Sequence, residues 1–340
     1  MAKVLAVLVL ALACASTLAR AADSLKTAEP GPWKIAWVAG LNLSQSSFSD
    51  NWAGGDRGSI VWVLNSDAKA ERQVSARYDL ANHLQLAYGQ TIQQQTDPSN
   101  PGRLVWATPK KSDDLILFES VSRFTLGGWV DPYAALRLDS QFRDASSPLG
   151  TIPLSPIKLA ESAGIARALQ KTDERELITR LGFGFREILA RQFDPATGAK
   201  VRVSTNDGGF EWQTTATQPI LDKKVLYQGQ LRVFQPVFFS RSGALERFDR
   251  DARASDPGRE AVAAFWKAPE VDFRSVFTAQ ITRILAVNLA AQWVYMKFDP
   301  ATDVDNTKPI ADRILAVDHG VRKAGQFREA LAIGLTYALF

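Results

Sequence analysis

Residues 271–283, VDFRSVFTAQITR, run almost without a break into residues 286–298, AVNLAAQWVYMKF. In the first run Val271, Phe273, Phe277, Ala279 and Ile281 alternate with Asp272, Arg274, Thr278, Gln280 and Thr282. That period of two is the signature of a strand with one apolar face. The second run repeats it, with Val287, Leu289, Ala291, Trp293 and Tyr295 on one face and Asn288, Ala290 and Gln292 on the other. Each run is long enough to cross a bilayer as a tilted strand of roughly 9–11 residues. Trp293 and Tyr295 sit near one end, where a membrane barrel carries its aromatic girdle. A hairpin of a soluble β-sandwich alternates equally well, so the hairpin alone leaves two fold classes open.

The rest of the chain narrows the choice. It has 340 residues, 46% hydrophobic and 22% charged, enough for one large domain or two small ones. After the N-terminus there is no apolar run of about 18 residues, so no spanning helix is predicted. At the N-terminus, Lys3 precedes an apolar stretch over residues 4–13, and Ala19-Arg20-Ala21 offers a small-x-small cleavage site. Residues 1–21 therefore read as a secretory signal peptide and residues 22–32 as a short periplasmic segment before a barrel over 33–340. The only cysteine, Cys14, lies inside the leader, so the mature chain needs no disulfide and offers no thiol chemistry. The net charge of +4 includes Lys3 and Arg20. That leaves too little positive charge to argue for nucleic acid.

Alternating runs predict about twelve strands, near 33–44, 59–68, 74–93, 113–126, 129–143, 156–168, 176–191, 210–217, 223–239, the two of the hairpin, and 328–340. The connections between them alternate in length. Those at 45–58, 96–112, 144–155, 192–209, 240–270 and 299–327 are long and rich in Pro, Gly, Asp and Asn, and those between are short. An all-β, up-and-down antiparallel transmembrane barrel has short periplasmic turns and long extracellular loops, whereas Greek-key sandwiches have no reason to sort their loops. The predicted fold class is accordingly an outer-membrane β-barrel of a Gram-negative bacterium. Trp52, Trp293, Tyr295 and Tyr337 are the candidate interface anchors.

Projecting the polar face of each strand inward gathers a predicted lumen of Arg77, Asp79, His83, Glu119, Arg123, Arg137, Asp139, Arg143, Arg180, Arg186, Arg232, Asp272 and Arg274. Arginine outnumbers carboxylate in this set. Either the charges pair into a network that plugs the barrel, or unpaired arginines line an anion-selective path.

Four blocks add a resemblance: QSSFSDNWAGG at 45–55, LAYGQ at 86–90, KKSDD at 110–114 and GQFREALAIGLTY at 325–337. In that order and spacing they resemble the bacterial outer-membrane β-barrel family catalogued as domain of unknown function 3078. The resemblance implies an outer-membrane barrel whose closing strand ends in an aromatic residue. It implies no catalytic residue and no substrate. Here Phe340 falls out of phase with Leu331, Ile333, Leu335, Tyr337 and Leu339, a departure from the common terminal signal read by the barrel-insertion machinery.

Chemistry of the enzymatic kind has little footing. His83 shares its face with Arg77, Asp79 and Gln85, with no serine beside it to act as nucleophile. Asp113-Asp114 with Asp318-His319 resembles the acid pair and Asp-His arrangement of outer-membrane aspartyl-type proteases, without supporting context. No phosphate loop or metal-ligand spacing appears, so no cofactor or metal is indicated. The expected function is a narrow channel or uptake pore for small polar or anionic solutes, without enzymatic activity. A closed structural or adhesion barrel working through its long loops is the alternative, and a rim hydrolase a third. The expected partners are outer-membrane lipid, the barrel-assembly machinery and a small solute.

Overall fold

The computed structural model describes residues 30–47, 57–172, 174–194 and 197–338. The signal-peptide reading and Trp52 lie outside these residues. Among these residues fifteen strands run in chain order as β1 Lys34–Ser46, β2 Ser59–Ser75, β3 Tyr78–Asp97, β4 Asn100–Trp106, β5 Lys110–Arg123, β6 Asp131–Ser140, β7 Arg143–Asp144, β8 Ile152–Pro153, β9 Ile157–Lys171, β10 Glu176–Phe193, β11 Lys200–Ile220, β12 Val225–Phe239, β13 Glu270–Gln280, β14 Leu285–Tyr295 and β15 Gln326–Ala338. Helix α1 (Ser242–Ser255) lies between β12 and β13, and α2 (Ile310–Gly320) between β14 and β15.

Twelve of the strands close on themselves. Each pairs antiparallel with its neighbours, β2 with β3 at one junction and β1 with β15 at another, so the sheet has no free side. The fold is a closed twelve-strand antiparallel β-barrel. Strands β4, β7 and β8 stand apart from the closed ring, β4 as a hairpin extension of β3 and β7 with β8 as a two-stranded ribbon. No helix among the described residues is long and apolar enough to cross a membrane.

The faces are inverted relative to a soluble core. Leu41, Leu64, Leu136, Leu181, Phe183, Phe210, Trp212, Phe273, Leu289, Leu331 and Ile333 all point away from the barrel axis and are exposed. An exposed apolar surface this continuous has no place in water. Aromatic pairs brace it from strand to strand, such as Phe183 with Phe210 at 5.8 Å and Tyr227 with Phe277 at 5.1 Å between ring centroids. Glu161 and Glu187 share the outward parity of these positions and interrupt the apolar face in the half nearer the long loops. The buried apolar core is elsewhere. Phe239, Leu245, Phe248, Ala252, Val262, Phe298, Val304 and Val317 form one cluster that joins α1, α2 and the end of β12.

The structure corrects the sequence reading in three places. First, β11 runs over Lys200–Ile220, not 210–217. Asn206-Asp207-Gly208-Gly209 has the composition of a turn yet lies within the strand. There Asp207 faces the lumen and Gly209 lets β12 approach, since a Cβ at that position would run into the Gln235 carbonyl oxygen. The β11–β12 register shifts at Gly208/Gly209, which puts Phe239 into the buried cluster, not on the outer face. Second, the loop there shrinks to residues 194–199, shorter than the turn over 124–130. The strict sorting of connections by length therefore fails at that pair. Third, the two longest loops carry helices, because α1 and α2 can bury Leu245, Phe248 and Val317 against each other.

Candidate functional site in the barrel lumen

The inner wall is built from the alternate residues that the outer face leaves behind. Its charges reach across the barrel as well as along it. Arg180 on β10 donates to Glu119 on β5 at 2.7 Å, and Arg186 on β10 to Asp207 on β11 and Glu270 on β13, each at 2.5 Å. Arg232 on β12 meets Glu211 on β11 at 2.5 Å. Arg274 grips Asp272 at 2.8 Å, and Gln292 donates to the same carboxylate. Arg137 donates to Asp139 at 3.2 Å, and Arg123 to Asp79 at 3.4 Å. His83 lies 3.0 Å from Asp67, which also accepts from Gln85.

Two bridges span the interior more widely. Lys171 on β9 reaches Glu71 on β2 at 2.6 Å near the short-turn end, and Arg328 on β15 reaches Asp113 on β5 at 2.8 Å toward the other. These pairs have a common cause. Charge removed from bulk water is costly unless it finds an opposite partner and hydrogen bonds.

Most of the residues named as lumen from the sequence meet here, and two are placed differently. Arg77 is exposed in the turn between β2 and β3. Arg143 belongs to the β7–β8 ribbon, where it donates to Thr151 Oγ1 at 3.4 Å. The excess of arginine also disappears. Asp207, Glu211 and Glu270, absent from the sequence list, neutralise Arg186 and Arg232. Asp207 and Glu270 were hidden in segments read as loops, and Glu211 stood in the strand whose limits were drawn too short. Strand parity carried through the Asn-Asp-Gly-Gly stretch would have found Asp207, and the parity of Asp272 and Arg274 carried back along β13 would have found Glu270.

Two cavities mark this interior. The larger, about 1280 Å³, opens at the long-loop end between the β7–β8 ribbon and α2, with Lys158, Ala190 and Val201 of the inner wall at its floor. The smaller, about 240 Å³, lies against Arg137, Asp139, Arg186, Arg232, Asp272 and Arg274, with Lys158 again in its lining. The loop between β14 and β15 folds back over this chamber. Pro300 lines it, and the Pro300 carbonyl accepts a 2.7 Å hydrogen bond from Thr205 of the inner wall. Lys308, in the same loop, is held by Asp194 at 2.8 Å and Asp303 at 2.7 Å. Burial disfavours the Lys308 ammonium, but the hydrogen bonds and charges of the two aspartates outweigh it and raise its pKa above the ordinary lysine value.

The rim carboxylates are occupied structurally. Asp114 accepts from the backbone N–H of Phe142 and Arg143 at 2.6 and 2.9 Å and pairs with Lys111 at 3.3 Å. Asp318 pairs with Arg259, and the His319 carbonyl accepts from Arg322. Among the anchors, Trp293 and Tyr295 stack with ring centroids 6.4 Å apart on the outward face of β14. The Tyr337 backbone is in register with Ala39 across the β15–β1 junction, and its side chain lies outside the described residues.

The family model described as Protein of unknown function (DUF3078) matches residues 43–145. That stretch contains the first three of the four blocks quoted above, in line with the resemblance read from them. No curated protein matches the chain. Among solved structures, the chain is similar to an outer membrane channel from Pseudomonas putida F1, with 9% identity, 92% of this chain and 98% of that chain covered, and a TM-score of 0.38. It is also similar to the translocator domain of the autotransporter NalP from Neisseria meningitidis, with 10% identity, 97% and 96% covered, and a TM-score of 0.35. The β domain of the Bordetella autotransporter BrkA gives 12% identity, 92% and 99% covered, and a TM-score of 0.30.

Proposed function

We propose that this barrel sits in a bacterial outer membrane, exported by a leader at residues 1–21, and acts as a narrow uptake pore for small polar solutes, anions among them. One observation carries the reading. The lumen is walled by charge yet retains a vestibule of about 1280 Å³ and, below it, a chamber of about 240 Å³ that share a lining residue. The outward apolar face supports placement in a bilayer, since only lipid covers such a surface at no cost. Passage involves no chemical step and no cofactor. It depends on width, on the fixed dipoles and charges of the wall, and on movement of the loop that carries Pro300.

A second reading is favoured by the bridges Lys171–Glu71 and Arg180–Glu119, which cross the interior below the chamber. If they hold under all conditions, the barrel is closed and acts through its loops. Single-channel recording on the purified protein in a planar bilayer separates the two. Stepwise conductance is expected. Silence from protein verified as inserted overturns the pore in favour of the closed barrel.

A further inference from the structure

We propose that Lys158 is the residue that selects anions in this lumen, an ammonium in contact with no described carboxylate that holds the negative group of a small monovalent anion as it passes from vestibule to chamber. The inference rests on the pore reading above and adds to it the identity of the selecting group and the charge of the solute.

Position is the first argument. Lys158 lines both the vestibule and the chamber. A solute moving between them passes this side chain.

Charge is the second. Every other cation of the chamber has a carboxylate partner: Arg137 has Asp139, Arg186 has Asp207 and Glu270, Arg232 has Glu211, and Arg274 has Asp272. Lys158 makes no hydrogen bond or ion pair with any described residue. Its direct cross-strand neighbour is Asp139, whose carboxylate is already held by Arg137 at 3.2 Å, so these three residues keep one net positive charge. In the vestibule above, Lys111, Lys308 and Arg322 are paired with Asp114, with Asp194 and Asp303, and with Asp299, while Lys110, Arg143 and Arg191 also line it and pair with no described carboxylate. The approach thus carries positive charge of its own, and Lys158 carries it on to the joint.

Size and dielectric complete the case. A chamber of about 240 Å³ corresponds to roughly eight waters at their share of liquid volume, about 30 Å³ each, which suits a halide or a short carboxylate and not a bulky one. Between low-dielectric walls one charge acts more strongly than on an open surface, because field lines are confined. A lysine is a compact point charge on a flexible stem, able to bind an anion and let it go.

The test is the reversal potential of the protein in a planar bilayer under a potassium chloride gradient, then with potassium acetate replacing chloride on one side. Wild type is expected to prefer anions. Lys158→Gln is expected to lower the chloride-to-potassium permeability ratio about three- to tenfold and Lys158→Glu to invert it. The effect should be larger at about 0.1 M salt than at about 1 M, where the screening length falls from about 10 Å to about 3 Å. Lys158→Arg keeps the charge and is expected to keep the preference, which a merely structural role would not require. An unchanged ratio in Lys158→Gln and Lys158→Glu, in a protein that conducts, overturns the assignment to Lys158 and leaves the pore standing. Absence of conductance in wild type overturns both.

Discussion

Arg186 shows how the wall is made stable one residue at a time. Its guanidinium lies 3.8 Å from the Phe234 ring centroid and bridges Asp207 and Glu270, so one side chain ties β10 to β11 and β13. Removing it leaves two carboxylates facing each other with no cation. Arg186→Met is therefore expected to destabilise the barrel by about 3–5 kcal/mol, measured as a fall in the urea midpoint in detergent. Glu270→Gln, which leaves Asp207 in place, should cost less. Gly182 is the opposite case, where the absence of a side chain matters. A Cβ there would stand 2.4 Å from the Ala163 carbonyl oxygen and 2.7 Å from the Tyr133 hydroxyl, and Tyr133 is buried. Gly182→Ala should push that ring from its seat at a cost of about 1–3 kcal/mol, visible in the same urea titration. Residue identities on the inner wall were legible from parity, because polar residues alternate with apolar ones through most strands. Lys158 shares the inward parity of Ala160 and Ser162, but it stands among small residues and apart from the arginine pattern of the other strands.

At the scale of elements, the strands were readable and the loops were not. A strand that faces lipid on one side must be apolar at every second position, and β13 and β14 are so except at Ser275. Helices α1 and α2 are short amphipathic segments whose apolar residues are satisfied by each other and by residues of neighbouring segments, Phe239, Val262, Phe298 and Val304. Nothing within either segment announces the partner. The loop between β14 and β15 is fastened by Lys308 as well as by this cluster. Because the Lys308 pKa is raised in the folded protein, its contribution is complete below the unfolded lysine value of about 10.4 and is lost only as pH climbs through the folded one. Lys308→Met is expected to expose residues 296–325 to protease at pH 8, while wild type stays protected both there and at pH 9. Equal cleavage of the two proteins would show that the aspartates do not hold this loop.

For the whole molecule, the decisive contrast is between the outer and inner surfaces. Leu289 lies mid-strand on the outer face of β14. Leu289→Arg should cost about 2–4 kcal/mol if its level is the bilayer midplane, whereas Gln230→Lys on the inner face should leave stability nearly unchanged and alter only conductance. Folding in lipid vesicles, followed by the gel shift between folded and heated forms, measures the first. The overall fold could be read from the sequence because a bilayer imposes one rule on every strand. The open or bridged state of the lumen could not, since it depends on which carboxylates find which arginines across the barrel, and those partners can lie far apart in the chain, as do Asp113 and Arg328.

The closure itself is uneven. Strands β10 and β11 are in register over their full facing lengths, from Glu176 with Thr217 to Phe193 with Lys200, whereas among the described residues β1 and β15 meet from Val38 with Ala338 to Asn42 with Gly334. Toward the long loops, residues 43–46 of β1 pair with β2 alone and residues 326–333 of β15 with β14 alone. Pulled apart, the molecule should tear there first, as a cylinder does along its shortest weld. A force ramp applied across residues 43 and 329 should then rupture at lower load than one applied across any other pair of neighbouring strands.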